Sequence, residues 1–181
     1  MSIHYCVFDT PIGIAGIAWG DRGVVGVQLP ETDRAQARAR LRRRFRGGLE
    51  SPPSPEIEQA VESIRALLNG CRGGADLSSV QLDMAAIEPF ERRVYEVART
   101  IPTGETLTYG QIATRLGDPL LARDVGQALG RNPFPIVVPC HRVLAAGGKL
   151  GGFSAPGGVA TKQRLLAIEQ ADVSWQLSLE V

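Results

Sequence analysis

The run Ile136-Val137-Val138-Pro139-Cys140-His141-Arg142-Val143 constrains the fold of this chain more than any other segment. A β-branched stretch of this kind predicts a buried strand, and Pro139 puts the end of that strand directly before Cys140. His141 is one of two histidines and Cys140 one of three cysteines. A thiol held on a rigid element reacts once its surroundings make it a thiolate. The expectation is therefore a protein of thiol chemistry whose Cys140 sulfur is ionised in a cleft.

Bulk properties narrow the class. At 181 residues and 44% hydrophobic content the chain fits one large domain or two small ones with a real core. A net charge of +1 rules out a global polycation, so a nucleic-acid role needs a local basic face. Arginine outnumbers lysine 18 to 2, a skew that a GC-rich genome also produces. Cys6, Cys71 and Cys140 are too scattered for a disulfide framework or a C-x-x-C pair, which suits a reducing compartment. The first residues carry no basic-then-apolar signal, and no apolar run reaches the ~18 residues of a membrane span. A cytoplasmic protein is expected.

Three short β-rich runs, Ile3–Asp9, Ile12–Trp19 and Val24–Leu29, read as an antiparallel meander. Glu31–Arg46 reads as a helix whose seven arginines form a solvated face, with a nucleic-acid patch as the alternative. The Pro-rich break Ser51–Pro55 precedes a helix over Glu56–Asn69 that stops at Gly70, with a loop over Cys71–Gly74. Val80–Met84 is a candidate strand, and the boundary falls there: domain 1–82 is α/β, and domain 83–181 is mostly helical. In the second domain Phe90–Thr100 is a helix, with Phe90, Val94 and Val97 or Ala98 on one face. Thr108 is placed to cap a helix over Tyr109–Leu116, and a second helix runs over about Leu121–Leu129. Two short helices joined by a glycine-containing turn match the helix-turn-helix pattern. A glycine-rich loop over Gly147–Gly158 and a final helix over Thr161–Glu169 complete the reading.

His141 is the nearest base for Cys140, directly or through one water. Neighbours on an extended strand point to opposite faces, so contact requires the strand to end or turn there. A histidine base is usually oriented by a third group, and Glu169 is the best acidic candidate. A buried, inert cysteine is the common alternative for a free thiol; the adjacent His141 and Arg142 argue against it. From Thr106 to Arg164 seven basic residues stand against Asp118 and Asp124, a local excess that suits phosphate binding. The loop Gly147–Ser154 follows neither the Walker nor the dinucleotide spacing, and reads as a pocket wall.

Pro139-Cys140-His141-Arg142-Val143 resembles the signature of the O6-alkylguanine-DNA alkyltransferases, the methylated-DNA–protein-cysteine methyltransferases. The likeness extends over about Phe90–Glu169 and takes in Ile101–Ala113, Val125-Gly126, Gly130–Pro133, Gly152-Phe153-Ser154 and Lys162. The first half is only loosely similar. The resemblance implies a small ribonuclease H-like sheet with helices, then a winged helix-turn-helix-like DNA-binding domain. It implies irreversible, single-turnover transfer of an alkyl group from O6-alkylguanine to Cys140, O4-alkylthymine being left open. His141 would form the thiolate through a water, with Glu169 orienting it. Tyr109 would give a proton toward guanine N3 and crowd the neighbouring phosphate. Asn132 would lock the turn before the active-site strand, and Arg123 would fill the gap left by the extruded nucleotide. Thr108, Gln127 and Arg131 join Tyr109 and Arg123 as DNA contacts. Val143, Ser154, Phe153 and Gly152 would hold the flipped base, which must leave the stack because O6 lies inside the duplex.

The implied partner is double-stranded DNA, bound through its minor groove by a monomer, without cofactor or metal. His4, Cys6 and Cys71 alone do not support the zinc site of some relatives. Three departures stand out: Tyr95 where many members carry Trp, the acidic Asp124 beside Arg123, and the Ala155-Pro156 lengthening of the loop. Competing readings are a non-catalytic alkyltransferase-like binding protein, against which Cys140 speaks, a helix-turn-helix regulator, and a cysteine hydrolase.

Overall fold

Thr10 Oγ1 donates to the Gly13 carbonyl at 2.7 Å, and Gly13 takes φ 136°, a conformation that favours glycine. This turn closes the hairpin of β1 (His4–Thr10) and β2 (Gly13–Gly20). β3 (Gly23–Glu31) pairs with β2, also antiparallel, so the expected meander is present. Leu49 and Glu50 form a short β4 parallel to β1, giving the order β3-β2-β1-β4. The sheet is therefore mixed rather than purely antiparallel. A two-residue strand is too short to show an alternation in the sequence.

The computed structural model describes residues 2–71 and 76–171. They cluster into two units: the first runs to Ala86 and also takes in Pro133–Val137, and the second comprises Ile87–Asn132 and the chain from Val138. Among the described residues no helix is long and apolar enough to cross a membrane.

In the first unit, helix α1 (Arg34–Arg44) is shorter than expected because Asp33 caps it, accepting from the Ala35 and Gln36 amides. Its buried residues are Ala37 and Leu41. A Cβ on Gly16 of β2 would stand 2.6 Å from Leu41 Cδ1, so the helix lies against the strand where glycine leaves room. Ala15–Trp19 are all buried, which means that both faces of this strand are covered. Most arginines of α1 are engaged locally: Arg34 with Asp9, Arg38 with Glu50, Arg40 with Glu31, and Arg42 with the Tyr5 hydroxyl. Arg44 donates to the carbonyls of Val27 and Pro133. Helix α2 (Pro55–Leu68) starts on its proline and buries Ile57, Val61, Ile64 and Leu68, the predicted stripe. Gly70 follows with φ 79°. The loop expected over Cys71–Gly74 lies largely outside the described residues. The strand expected at Val80–Met84 is absent; Leu82 makes only a single bridge to Val24.

The run Ile136–Val138 is not a strand. Ile136 has φ 76° inside a turn, and Cys140–Arg142 form a single 3-10 turn. Phe134, Ile136, Val137 and Val138 are nonetheless buried. Their apolar character records burial, and prolines at 133, 135 and 139 prevent regular pairing.

In the second unit, α3 (Pro89–Arg99) buries Val94, Tyr95 and Ala98, while Phe90 is only half-buried. The Tyr95 hydroxyl donates to the Ala128 carbonyl at 3.0 Å, so this polar group is satisfied inside the core. Helix α4 (Tyr109–Arg115) begins with a capping box: Thr108 Oγ1 accepts from the Gln111 amide, and the Gln111 side chain accepts from the Thr108 amide. A 3-10 turn at Pro119–Leu121 leads into α5 (Ala122–Gly130). β5 (Leu107–Thr108) and β6 (Val143–Leu144) pair in parallel. Helix α6 (Gly158–Ile168) starts three residues before its predicted position, after Gly157 at φ 81°.

Candidate active site

The β5–β6 pair explains how distant residues meet. Tyr109 directly follows β5, and the Cys140–Arg142 turn directly precedes β6. Both open on one cleft of about 550 Å³, lined by Tyr109, Arg123, Cys140, Gly152, Phe153 and Ser154 among others. Six of the residues singled out by sequence thus share one cavity.

Cys140 is partly exposed, but burial of its sulfur pushes the thiol above its ordinary value. The Asn132 side-chain hydrogen bond, the Lys162 charge and the backbone amides act in the opposite direction and do not overcome it. The expectation of a standing thiolate is therefore corrected: at neutral pH the sulfur rests as a thiol and must lose its proton to react.

The candidate acceptor for that proton, His141, is the next residue in the chain. His141 is fully buried, and its Nε2 is 2.9 Å from Glu169 Oε1. Glu169 is the C-cap of α6, an end whose dipole disfavours a carboxylate. Burial would raise its pKa further; hydrogen bonds and charge from His141 and Arg142 outweigh both and hold it at about 2. Arg142 donates to both Glu169 oxygens at 2.8 Å, and also to the Ile101 carbonyl and Thr103 Oγ1. An ionised carboxylate only accepts, so Nε2 of His141 carries the hydrogen. The other ring nitrogen, Nδ1, is buried without a protein hydrogen-bond partner. The His141 ring is thus oriented by a carboxylate that Arg142 keeps charged.

Asn132 Nδ2 donates to the Val138 carbonyl at 2.9 Å, and the Cys140 amide donates to that same carbonyl at 2.8 Å. The turn is closed around Cys140. Burial, then the neighbouring Cys140, raises the Tyr109 phenol, so it stays protonated. Arg123, Asp124 and Gln127 are exposed on α5. Arg131 is tied to Glu91 at 2.7 Å, so it is less available to a phosphate than expected. Ser154 Oγ donates to the Gly130 carbonyl at 2.7 Å; in this structure its proton serves the loop rather than a ligand. Thr108 is occupied as the α4 cap. The Val143 carbonyl accepts from Lys162 Nζ.

Arg142 and Lys162 are the residues whose part sequence reasoning missed. Both were visible as charges, but only long-range contacts show that they are buried. Among the described residues no group of three or more His, Cys, Asp or Glu is placed to hold a metal ion.

Residues 89–171 match the family model described as 6-O-methylguanine DNA methyltransferase, DNA binding domain. The chain is 38% identical over 166 residues to the methylated-DNA–protein-cysteine methyltransferase of Methanothermobacter thermautotrophicus, covering 92% of this chain and 85% of that protein. It is also 38% identical to the protein of that name from Mycolicibacterium paratuberculosis, with 98% of each covered. Among solved structures it is similar to Mycobacterium tuberculosis OGT in complex with DNA, with TM-score 0.70, 36% identity and 92% of each chain covered. The O6-methylguanine-DNA methyltransferase of Pyrococcus kodakaraensis matches with TM-score 0.68 and 30% identity, covering 92% of this chain and 98% of that one.

Proposed function

The chain belongs to the methylated-DNA–protein-cysteine methyltransferase family; it is a DNA-repair methyltransferase acting by direct reversal, and we propose that Cys140 is its alkyl acceptor. The observation that carries this is the placement of Cys140 in the cleft lined by Tyr109, Arg123, Phe153 and Ser154, next to a His141 held by Glu169.

The thiol proton leaves through a water to His141 Nδ1, and Glu169 stabilises the imidazolium that results. The sulfur attacks the alkyl carbon; the S–C bond forms as the C–O6 bond breaks. The electron pair returns to guanine, which Tyr109 protonates. Desolvation keeps that phenol in the protonated form the step needs. The thioether is inert, so each molecule acts once. Asn132 holds the turn, which keeps the sulfur aligned.

The reading extends to the partner. Double-stranded DNA is bound with α5 toward the minor groove, Arg123 entering the stack while the damaged nucleotide turns into the cleft. Thr108, Gln127 and Arg131 lie on the DNA side, and Gly152, Phe153, Ser154 and the Val143 backbone line the base pocket. A ribonuclease H-like first domain (1–82) and a winged helix-turn-helix-like second domain (83–181), acting as a cytoplasmic monomer, complete the proposal. Three free cysteines suit that compartment. The catalytic reading is preferred to a binding-only one because the thiol and its base are both present.

The test is an oligonucleotide in which O6-methylguanine blocks a restriction site. Incubation with the protein restores cutting, one site per protein molecule, and Cys140→Ala restores none. Cutting restored by Cys140→Ala would refute the assignment.

A further inference from the structure

Pro133–Val137 belongs to the first unit, while Asn132 before it and Val138 after it belong to the second. One hold on the first unit is the Pro133 carbonyl. That oxygen accepts from the Val27 amide of β3 at 2.9 Å and from Arg44 Nη2 at the end of α1, also at 2.9 Å. Arg44 Nη1 donates to the Val27 carbonyl at 3.0 Å, so one guanidinium spans β3 and the segment beside it. Arg34, Arg38 and Arg40 of the same helix pair with carboxylates and Arg42 bonds the Tyr5 hydroxyl, whereas Arg44 meets two main-chain carbonyls.

The neighbours of Arg44 are arranged for this contact. A Cβ on Gly26 would stand 2.9 Å from Arg44 Nη2 and 2.6 Å from Phe45 Cζ, so glycine lets the guanidinium lie over β3. The Phe45 ring centroid is 5.0 Å from Arg44 Cζ. The segment so held cannot pair as a strand, because Pro133 and Pro135 have no amide hydrogen. Its Ile136 takes φ 76°, a left-handed conformation that costs a β-branched residue about 1–3 kcal/mol and persists only where the surroundings fix it. Asn132, directly before Pro133, donates to the Val138 carbonyl, and the Cys140 amide donates to the same oxygen. The stretch of chain that ends in Cys140 therefore begins at a carbonyl that Arg44 holds.

From these contacts, and resting on the alkyl-acceptor reading of Cys140, we infer that Arg44 is a positioning residue for the reaction: by fixing the Pro133 carbonyl it sets the bond from Asn132 to Val138, and so the place of the Cys140 sulfur. Arg44 bonds Pro133 within the first unit, and the continuous chain carries the effect into the turn. The guanidinium touches neither the substrate nor the sulfur. It acts through Pro133 and Asn132, and a reacting atom held out of place slows a reaction even when the cause is remote. Hydrogen bonds from a charged donor suit this task, being shorter and stronger than neutral ones.

The test uses a parent protein, the full chain carrying Cys6→Ser and Cys71→Ser, in which Cys140 is the sole thiol. Arg44→Met, which keeps a long side chain and loses the donors, is compared with Arg43→Met at an exposed neighbour on α1. Two readings are taken on folded protein: the transfer rate at saturating free O6-benzylguanine, and the pH midpoint of Cys140 alkylation by iodoacetamide. In Arg44→Met the transfer rate is expected to fall roughly tenfold. The midpoint is expected to rise by about half a unit, because a displaced Asn132 no longer supports the thiolate. Arg43→Met should leave both readings at the parent's values. A transfer rate in Arg44→Met equal to the parent's overturns the inference. So does a slower rate with an unmoved midpoint, or an equal loss in Arg43→Met, since either would come from general loosening. Should Arg44→Met fail to fold, Arg44→Gln, which keeps a donor but is too short to span both carbonyls, decides by the same two readings. A parent that transfers no benzyl group to Cys140 would instead sink the underlying reading, and the iodoacetamide midpoint does not depend on it.

Discussion

His141 and Arg142, adjacent in sequence, meet the same carboxylate: Glu169 Oε1 is 2.9 Å from His141 Nε2 and 2.8 Å from Arg142 Nη2. The 3-10 turn at Cys140–Arg142 brings both side chains to the end of α6. Removing the charge should damage the fold and the chemistry together. Glu169→Gln is expected to cost roughly 3–5 kcal/mol, because it leaves Arg142 buried without its partner. It should slow alkyl transfer roughly 100-fold or more, because the histidine loses the group that stabilises its protonated form. Urea unfolding and single-turnover kinetics measure the two effects separately.

The same carboxylate predicts a pH dependence of stability. Its pKa is held at about 2 in the folded chain against an ordinary 4.5. A carboxyl lowered on folding contributes stability that is fully present above its unfolded value and is lost as pH falls toward its folded value. Stability should therefore drop between pH 4.5 and 2, and Glu169→Gln should flatten that part of the profile. Denaturant midpoints taken across this window, in both proteins, check it.

Asn132→Ala should act on the reactive turn. Loss of the bond to the Val138 carbonyl is expected to cost about 1–3 kcal/mol. Loss of its hydrogen bond to the thiol should raise the Cys140 pKa further, since that bond works against the effect of burial. A pH titration of Cys140 reactivity reads this directly.

Arg123 and Arg131 should separate. Arg123 is exposed on the wall of the cleft, whereas Arg131 is held by Glu91. Arg123→Ala should slow repair of duplex DNA while sparing reaction with free O6-benzylguanine, and should lower the salt slope of DNA binding by about 1. Arg131→Ala should have the smaller effect on both. Equal loss on duplex and free base would remove the finger role from Arg123.

Asp124 places a negative charge beside Arg123 on the exposed side of α5. Asp124→Ala should tighten DNA binding by about 0.5 kcal/mol at low salt, an advantage that shrinks as salt rises. Fluorescence anisotropy at two ionic strengths is sufficient.

Local rules carried sequence reasoning a long way where structure is local. The stripe of α2 and the Thr108 cap need only neighbouring residues to be read, and both stand as expected. The pairing of His141 with Glu169 was legible because from Thr106 to Arg164 the only acids are Asp118 and Asp124, both in the helix-turn-helix region. The run Ile136–Val138 was misread because β-branched residues signal burial and strand alike, and only tertiary packing holds Ile136 at φ 76°. Nothing local separates Lys162 or Arg142 from a surface cation. Their burial depends on carbonyls at positions 101, 143 and 150, which the fold alone brings near. The resting protonation of Cys140 was hidden for the same reason, because desolvation is a property of the packed site.

The most direct test is peptide mass spectrometry after reaction with duplex DNA containing O6-methylguanine. The account predicts the mass of one added methylene unit on the peptide containing Cys140, in proportion to the guanine restored. Restored guanine with that peptide unmodified, or a methyl on Cys6 or Cys71, would contradict it.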